Sequence, residues 1–493
     1  MIIEHLPALQ IVIPLIGAPA CMLVRYRDSA WAVALVASWI ALAISWILLQ
    51  EVLATGPISY HLGGWAPPIG IEYRIDYLNA FVLLIVSGIG AVVTPFARES
   101  VRQEFGMRRI YMFYAAYLLC LTGLLGIAIT GDAFNLFVFL EISSLSSYIL
   151  IAMGNDRRAL TASYQYLVMG TIGATFYVIG IGLLYADTGT LNMADLAQRI
   201  AAEPMNRTIG AAFGFIVVGL SLKLALFPLH LWLPNAYTYA PSMVSAFLAA
   251  TATKVAVYVL IRFLFTIFKL NLSFGIVPLA DVLLVLAVAA MFAASTVAIF
   301  QNNIKRMLAY SSLAQIGYMI LGVSFANVSG LTAGIVHLFN HALTKGGMFL
   351  ALGCAMYRLG SVHIRDLAGI GRVMPWTTAA FVAGGLGLIG VPLTAGFISK
   401  WYLVLGAIER GWWPVAVLVV LSSLLAVVYV WRVIEAAYFQ PAPTNPVRMV
   451  EAPLSMLLPT WALIGASIYF GLDTRLTVDI AQKAAAALLT AAS

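Results

Sequence analysis

Apolar residues in this chain come in runs of about twenty, parted by short polar breaks. A helix crossing the hydrocarbon core of a bilayer needs about 20 such residues, so the rhythm predicts a series of membrane-spanning helices. Windows of that kind fall at 6–24, 30–50, 76–97, 110–130, 132–153, 161–185, 208–228, 242–266, 279–299, 307–325, 330–357, 377–404, 412–431 and 455–472. The expected fold is an all-α polytopic membrane protein with about 14 transmembrane helices. The first run begins near Leu6 and leads straight into further spans, so it reads as helix one rather than a cleaved signal. The longest breaks, 51–75 and 186–207, are too short for a soluble domain with its own core. Within the second, NMADLAQRIAAEP predicts a short amphipathic surface helix. After the last span only an Ala-rich tail from Ala481 is expected.

Composition sharpens this picture. Of 493 residues, 62% are hydrophobic and 10% charged, whereas a soluble domain carries about 25% charged residues. The net charge of +7 could suggest nucleic acid, but in a chain this apolar it reads as the excess of Lys and Arg in cytoplasmic loops. Fifteen basic residues, among them Arg25, Arg102, Arg108, Arg109, Arg158, Lys305, Arg365 and Arg448, fall in the odd-numbered loops. Eight, among them Arg74, Arg199, Arg262 and Arg475, fall in the even loops, their helix ends and the tail. The odd loops are therefore expected in the cytoplasm and both termini outside. Cys21, Cys120 and Cys354 lie far apart in or beside apolar spans, a spacing that indicates neither a disulfide framework nor a metal or cluster site.

The remaining four basic residues lie inside spans. Lys223 and Lys254 sit in adjacent spans seven and eight, Lys345 in span eleven and Lys400 in span twelve. A charge at mid-membrane costs about 2.5–3.5 kcal/mol on insertion scales, so each needs a reason. Glu141, near mid-depth in span five, is the acid available to pair with a lysine, with Ser143, Ser144 and Ser146 beside it. His337, His341 and Lys345 recur every four residues and share one helix face. Two histidines at that spacing can hold zinc, but there is no HExxH and no nearby cysteine, and the stripe suits a proton relay better. Tyr310, Ser311, Ser312, Gln315 and Tyr318 add polar groups in span ten, for holding water or for packing helices together.

Proline marks two of these spans. Pro228 and Pro234 follow Lys223, and Pro392 and Gly396 precede Lys400. Proline breaks the helical hydrogen-bond ladder, and inside a membrane the freed carbonyls must face protein or water. Gly385, Gly387 and Gly390 match GxGxxG in form, but no strand precedes them, so no dinucleotide site is read there. Spans seven and twelve, both broken and both carrying lysine, are separated by an odd number of steps and run in opposite directions. This predicts two inverted five-helix repeats around a midplane site. The expected divisions are 1–108 for the first three helices, 109–270 and 278–437 for the repeats, and 438–493 for the last helix and tail.

The runs GDAFNLFVFLE, SLKLALFPLHLWLPNAY, NNIKRMLAYSSLAQIGYMILG, HLFNHALTKGGMFL and GFISKW resemble the proton-conducting antiporter family. That family is shared by the antiporter-like subunits of respiratory complex I and of Mrp-type multisubunit cation/proton antiporters, and the resemblance covers nearly the whole chain. The NLFVFLE form, the length, and the ending after span fourteen without a long lateral helix point to the D-type subunits of the Mrp branch. The resemblance implies that Glu141 and Lys223 form a charge pair, that Lys254 is the central relay, that His337 and His341 are relay groups and that Lys400 is the terminal lysine. Some complex I relatives carry Glu at the position of Lys400, and many relatives carry an acid where this chain has Asn235. It implies proton transport coupled to sodium or potassium, in a bacterial cytoplasmic membrane, beside other hydrophobic subunits and without a cofactor. A proton-pumping subunit of an NADH–quinone or hydrogenase complex is the alternative within the family. A quinone-reducing enzyme would need a cofactor motif, and a scaffold would not need the five buried charges.

Overall fold

The computed structural model describes residues 3–105, 110–202, 206–441 and 450–492. Arg108, Arg109 and Arg448, which contribute to the loop charge bias, lie outside the described residues. Helices α1 (Leu6–Val24) and α2 (Arg27–Thr55) form the first hairpin of the bundle. A short antiparallel pair follows, β1 (Ile58–His61) and β2 (Glu72–Ile75), with Ile58 opposite Ile75 and His61 opposite Glu72. The first long break thus closes as a β-hairpin over one face of the molecule. Asp76 then starts α3 (Tyr77–Glu104) with a capping box, accepting from the N–H of Leu78 and Asn79 while Asn79 returns the bond.

Ten further stretches make the body of the bundle. They are α4 (Ile110–Ile129), α5 (Ala133–Ala152), α6 (Arg158–Thr188), the broken pair α8 (Arg207–Leu224) and α9 (Trp232–Tyr239), and α10 (Ser242–Arg262). Between α6 and α8, α7 (Met193–Ala202) lies on its apolar side, with Met193, Leu196 and Ile200 buried. Then come α11 (Leu279–Ile299), α12 (Ile304–Ser324), α13 (Val328–Leu359), the broken pair α14 (Pro375–Ile389) and α15 (Ala395–Glu409), and α16 (Trp413–Phe439). The second group repeats the first in order and length: 20, 20 and 31 residues for α4 to α6, against 21, 21 and 32 for α11 to α13. Each group also has one isolated bridge at the same place. The residue capping its second helix pairs with a residue in the segment after its third, Asp132 with Asn192 and Asn303 with His363.

Twelve of the described helices are long and apolar enough to cross a membrane. The two other expected crossings are the ones most interrupted by polar residues or turns: α13, which carries His337, His341 and Lys345, and the broken pair α14–α15. Burial separates inside from outside. Of the apolar windows of α10 and α12, 94% is buried, against 39% for α6, α11 and α16, so α10 and α12 form the core and the latter three present apolar surface outward.

The C-terminal expectation is corrected. Arg475–Ala492 is not a loose tail but an 18-residue helix, α18, which follows α17 (Leu454–Leu472). Its buried side, Val478, Ile480, Ala481, Ala484, Ala485 and Leu488, packs on α13 and α3. The alanines that make it read as a tail are what let it lie close to its neighbours.

Candidate functional site

The first buried charge lies where α8 stops. Ala225 adopts φ 59°, and the N–H groups of Ala225 and Leu226 close back on Leu222 and Ser221. The indole of Trp232 donates to the Leu222 carbonyl at 3.1 Å, satisfying an acceptor that the break exposes. Pro228 lies in the turn itself. Pro234 is the third residue of α9, where a missing N–H is harmless because the first turn has no intrahelical partner. In the last turn before the break, Lys223 donates to the Ser144 hydroxyl at 2.8 Å and to the Glu141 carboxylate at 3.4 Å. Ser143 and Ser146 do not join this pair; each bonds a carbonyl of its own helix. The Lys223 side chain is 4% exposed and that of Glu141 25%. Glu141 belongs to the outward side of α5, where Val138, Leu145 and Ile149 are exposed.

Lys254 lies on α10, which packs against both α8 and α13. It is fully buried and donates to the Ala249 carbonyl, with the Thr253 hydroxyl 3.4 Å away. Among the described residues no carboxylate lies within ion-pair distance of Lys254, Lys345 or Lys400. On α13 the His337 and His341 rings lie nearly parallel, 5.9 Å apart. His337 is bonded on both sides, to Gln315 of α12 at 2.9 Å and to Ser399 of α15 at 2.7 Å. Among the described residues, neither ring nitrogen of buried His341 has a partner, nor does Oδ1 of Asn340 beside it. A buried polar atom without a partner costs about 1–3 kcal/mol, so this spot suits water. Lys345, one turn further, donates to the Leu308 carbonyl of α12 at 2.9 Å.

Lys400 completes the line in the second break. α14 ends at Gly390, φ 85°, and the chain turns through Pro392 and Leu393, φ 73°, before α15. Gly396 lies inside the first turn of α15, where a side chain would collide with the Gly387 carbonyl. The break frees the carbonyls of Leu388 and Ile389, and the Lys400 ammonium takes both, at 2.8 and 2.9 Å, with the Ser423 hydroxyl at 2.9 Å. It also lies 4.8 Å from the centre of the Tyr318 ring, a cation–π distance. The structure therefore joins Gln315, Tyr318, His337, Ser399 and Lys400 into one cluster, and keeps Glu141 and Lys223 as a separate pair on the α5 side.

Three polar groups lie outside the sequence reading. Ser399 and Ser423 are single hydroxyls in apolar spans, a signal open to the same test that singles out Glu141. Lys305 counts as a loop charge in the sequence, yet it is buried and donates to the Ala240 carbonyl at 3.0 Å. Among the described residues no three His, Cys, Asp or Glu side chains cluster as metal ligands.

The family model described as NADH:quinone oxidoreductase/Mrp antiporter, transmembrane, matches residues 130–426. The chain is 44% identical to NADH-quinone oxidoreductase subunit N of Desulforudis audaxviator over 95% of its own length and 96% of that protein's. It is 29% identical to the D-type subunit of the Na(+)/H(+) antiporter of Bacillus subtilis, over 98% and 96% of the two chains. Its fold superposes on a chain of the Mrp complex of Dietzia sp. DQ12-45-1b with a TM-score of 0.89, at 26% identity, covering 99% of this chain and 98% of that one.

Proposed function

The chain belongs to the NADH:quinone oxidoreductase/Mrp antiporter family, and on that premise we propose that it is the proton-translocating subunit of an Mrp-type monovalent cation/proton antiporter. The observation that carries this reading is the row of buried titratable groups from the Glu141–Lys223 pair through Lys254, His341 and His337 to Lys400. Glu141 pairs with Lys223 alone, and among the described residues Lys254, Lys345 and Lys400 have no carboxylate within ion-pair distance. Like charges repel strongly where water is excluded, so the gain of a proton at one site favours its loss at the next. At the second break two bare carbonyls and the Ser423 hydroxyl can steady Lys400 as its charge changes, and beside the first the Ser144 hydroxyl can do so for Lys223. The two helix groups, with matching lengths and matching bridges, are then two inverted repeats, each contributing one broken helix.

The cation path lies partly in a partner subunit. A sodium or potassium site needs several oxygen ligands, and the one acid at mid-depth, Glu141, is engaged with Lys223. That acid also stands on an outward apolar face, where lipid is a poor neighbour for a carboxylate, so another membrane subunit is expected to cover it. A second reading, a redox-driven proton pump subunit, draws on the 44% identity to a quinone oxidoreductase subunit.

Membrane vesicles holding the assembled complex separate the two. The antiporter reading expects proton movement on adding sodium or potassium, and none on adding an electron donor with quinone. The reverse result would move the chain to the redox branch. The purified chain alone is expected to show no cation-driven proton movement, and robust exchange from it would require a cation site within this subunit.

A further inference from the structure

On the face covered by the β-hairpin, Arg262 at the end of α10 grips Asp76 at the start of α3. The bond is two-pronged, with Nη1 to Oδ2 at 2.7 Å and Nη2 to Oδ1 at 2.9 Å, the fork geometry that makes such pairs strong. Asp76 is already committed to capping α3, and Arg262 is 10% exposed. The pair sits in a cavity of about 170 Å³ lined by Glu72, Thr130, Tyr258, Asp76 and Arg262, with Leu488 of α18 on its rim. That volume has room for several waters.

On α10 the cavity is lined by Tyr258, Arg262 and Thr266. Lys254, Tyr258 and Arg262 are spaced by four residues and share one helix face, and each step is about 6 Å along the axis. The Arg262 guanidinium lies 5.5 Å from the Tyr258 ring, and the Tyr258 hydroxyl donates to the Ala128 carbonyl at 3.0 Å. Immediately after Arg262 the helix widens to i→i+5 turns, over Phe263–Ile267 and again over Asn271–Ile276. Widened turns of this kind recur at functional sites, and here the first of them directly follows the ion pair. A pair needed only to hold two helices together could be replaced by apolar contacts at little cost. It would need neither the cavity nor the polar column behind it.

We propose that the Asp76–Arg262 ion pair is the gate of a proton port between Lys254 and the hairpin face, with α18 forming part of its rim. With the pair closed, the guanidinium blocks the column at Tyr258. With it open, water in the cavity reaches toward Lys254. This rests on the proton-relay reading.

The test is passive proton leak, measured with a trapped pH dye after an acid pulse, in vesicles holding the complex and no cation gradient. Arg262→Ala should raise the leak several-fold and Arg262→Lys less so. Adding Lys254→Met to Arg262→Ala should remove the extra leak, because the route passes that lysine. An unchanged leak from Arg262→Ala protein present at the wild-type level would overturn the gate, as would a leak indifferent to Lys254→Met. Failure of both Arg262 variants to accumulate in the membrane would make the pair a structural staple and overturn it too. If cation or electron donor drives no proton movement in the unaltered complex, it is the relay reading that fails instead.

Discussion

His337 Nδ1 lies 2.7 Å from the hydroxyl of Ser399, the residue before Lys400. One short bond thus joins the histidine stripe of α13 to the helix that carries the lysine of the broken span. It fixes the imidazole between Ser399 and Gln315, so a proton reaching His337 has a defined next step. Ser399→Ala should slow proton transport by about tenfold, the ratio matching one such bond, without lowering the amount of complex. His337→Gln keeps hydrogen bonding but cannot titrate, and should slow it further. Initial rates in vesicles check both, and a Ser399→Ala rate equal to wild type would remove that bond from the route.

Gly390 allows the Lys400 site to exist. Its φ of +85° is one that other residues take only at a cost of about 1–2 kcal/mol. A side chain there would also come within 2.9 Å of Lys400 Cδ. Gly390→Ala should therefore depress transport much as Lys400→Ala does. Gly182→Ala, with open space around it, should change nothing. Rates for the three variants, normalised to membrane content, decide this, and a fully active Gly390→Ala would show that the break tolerates displacement of the lysine.

Glu141→Ala and Lys223→Ala should each abolish exchange while the complex still assembles. Stranding one partner of a buried pair costs up to about 3–5 kcal/mol, but Ser144 remains to hold Lys223 and Glu141 is a quarter exposed, so the loss of stability should be smaller than that. Native gels report assembly and vesicle assays report exchange. Exchange that survives the double alanine variant would show the pair unused.

Much of this is legible in the sequence because lipid tolerates so little. Twenty-residue apolar runs have few alternatives, and a lysine or acid within one stands out, which is how Glu141, Lys223, Lys254 and Lys400 emerge from spacing and solvation alone. Asp76 and Arg262 cannot emerge that way. Arg262 sits at a helix end and reads as a loop charge, and its partner is 186 residues away in sequence. Lys305 hides in the polar run NNIKR, since only the folded chain turns its ammonium inward to Ala240. The α18 helix escapes because alanine is a weak hydrophobic signal; its burial depends on close packing against α13 rather than on apolar bulk.

Orientation follows from the charge bias and is open to direct check. A cytoplasmic reporter fused near Arg102 should be active and one near Trp65 silent, with a periplasmic reporter giving the opposite pattern. A periplasmic signal at Arg102 would invert the topology, exchanging the sides on which the Asp76–Arg262 cavity and the Lys305 end of the bundle open.

The relay stands or falls with Lys254. It is fully buried, with no acid within ion-pair distance among the described residues, so in stability terms it is a burden. Methionine has similar length and no charge to bury, and Lys254→Met should leave the complex at least as stable as the wild type. The deciding measurement is proton movement, driven by sodium, potassium or an electron donor, in vesicles holding equal amounts of wild-type and Lys254→Met complex. The relay predicts a robust signal from the first and none from the second. A Lys254→Met complex that moves protons at the wild-type rate would contradict it.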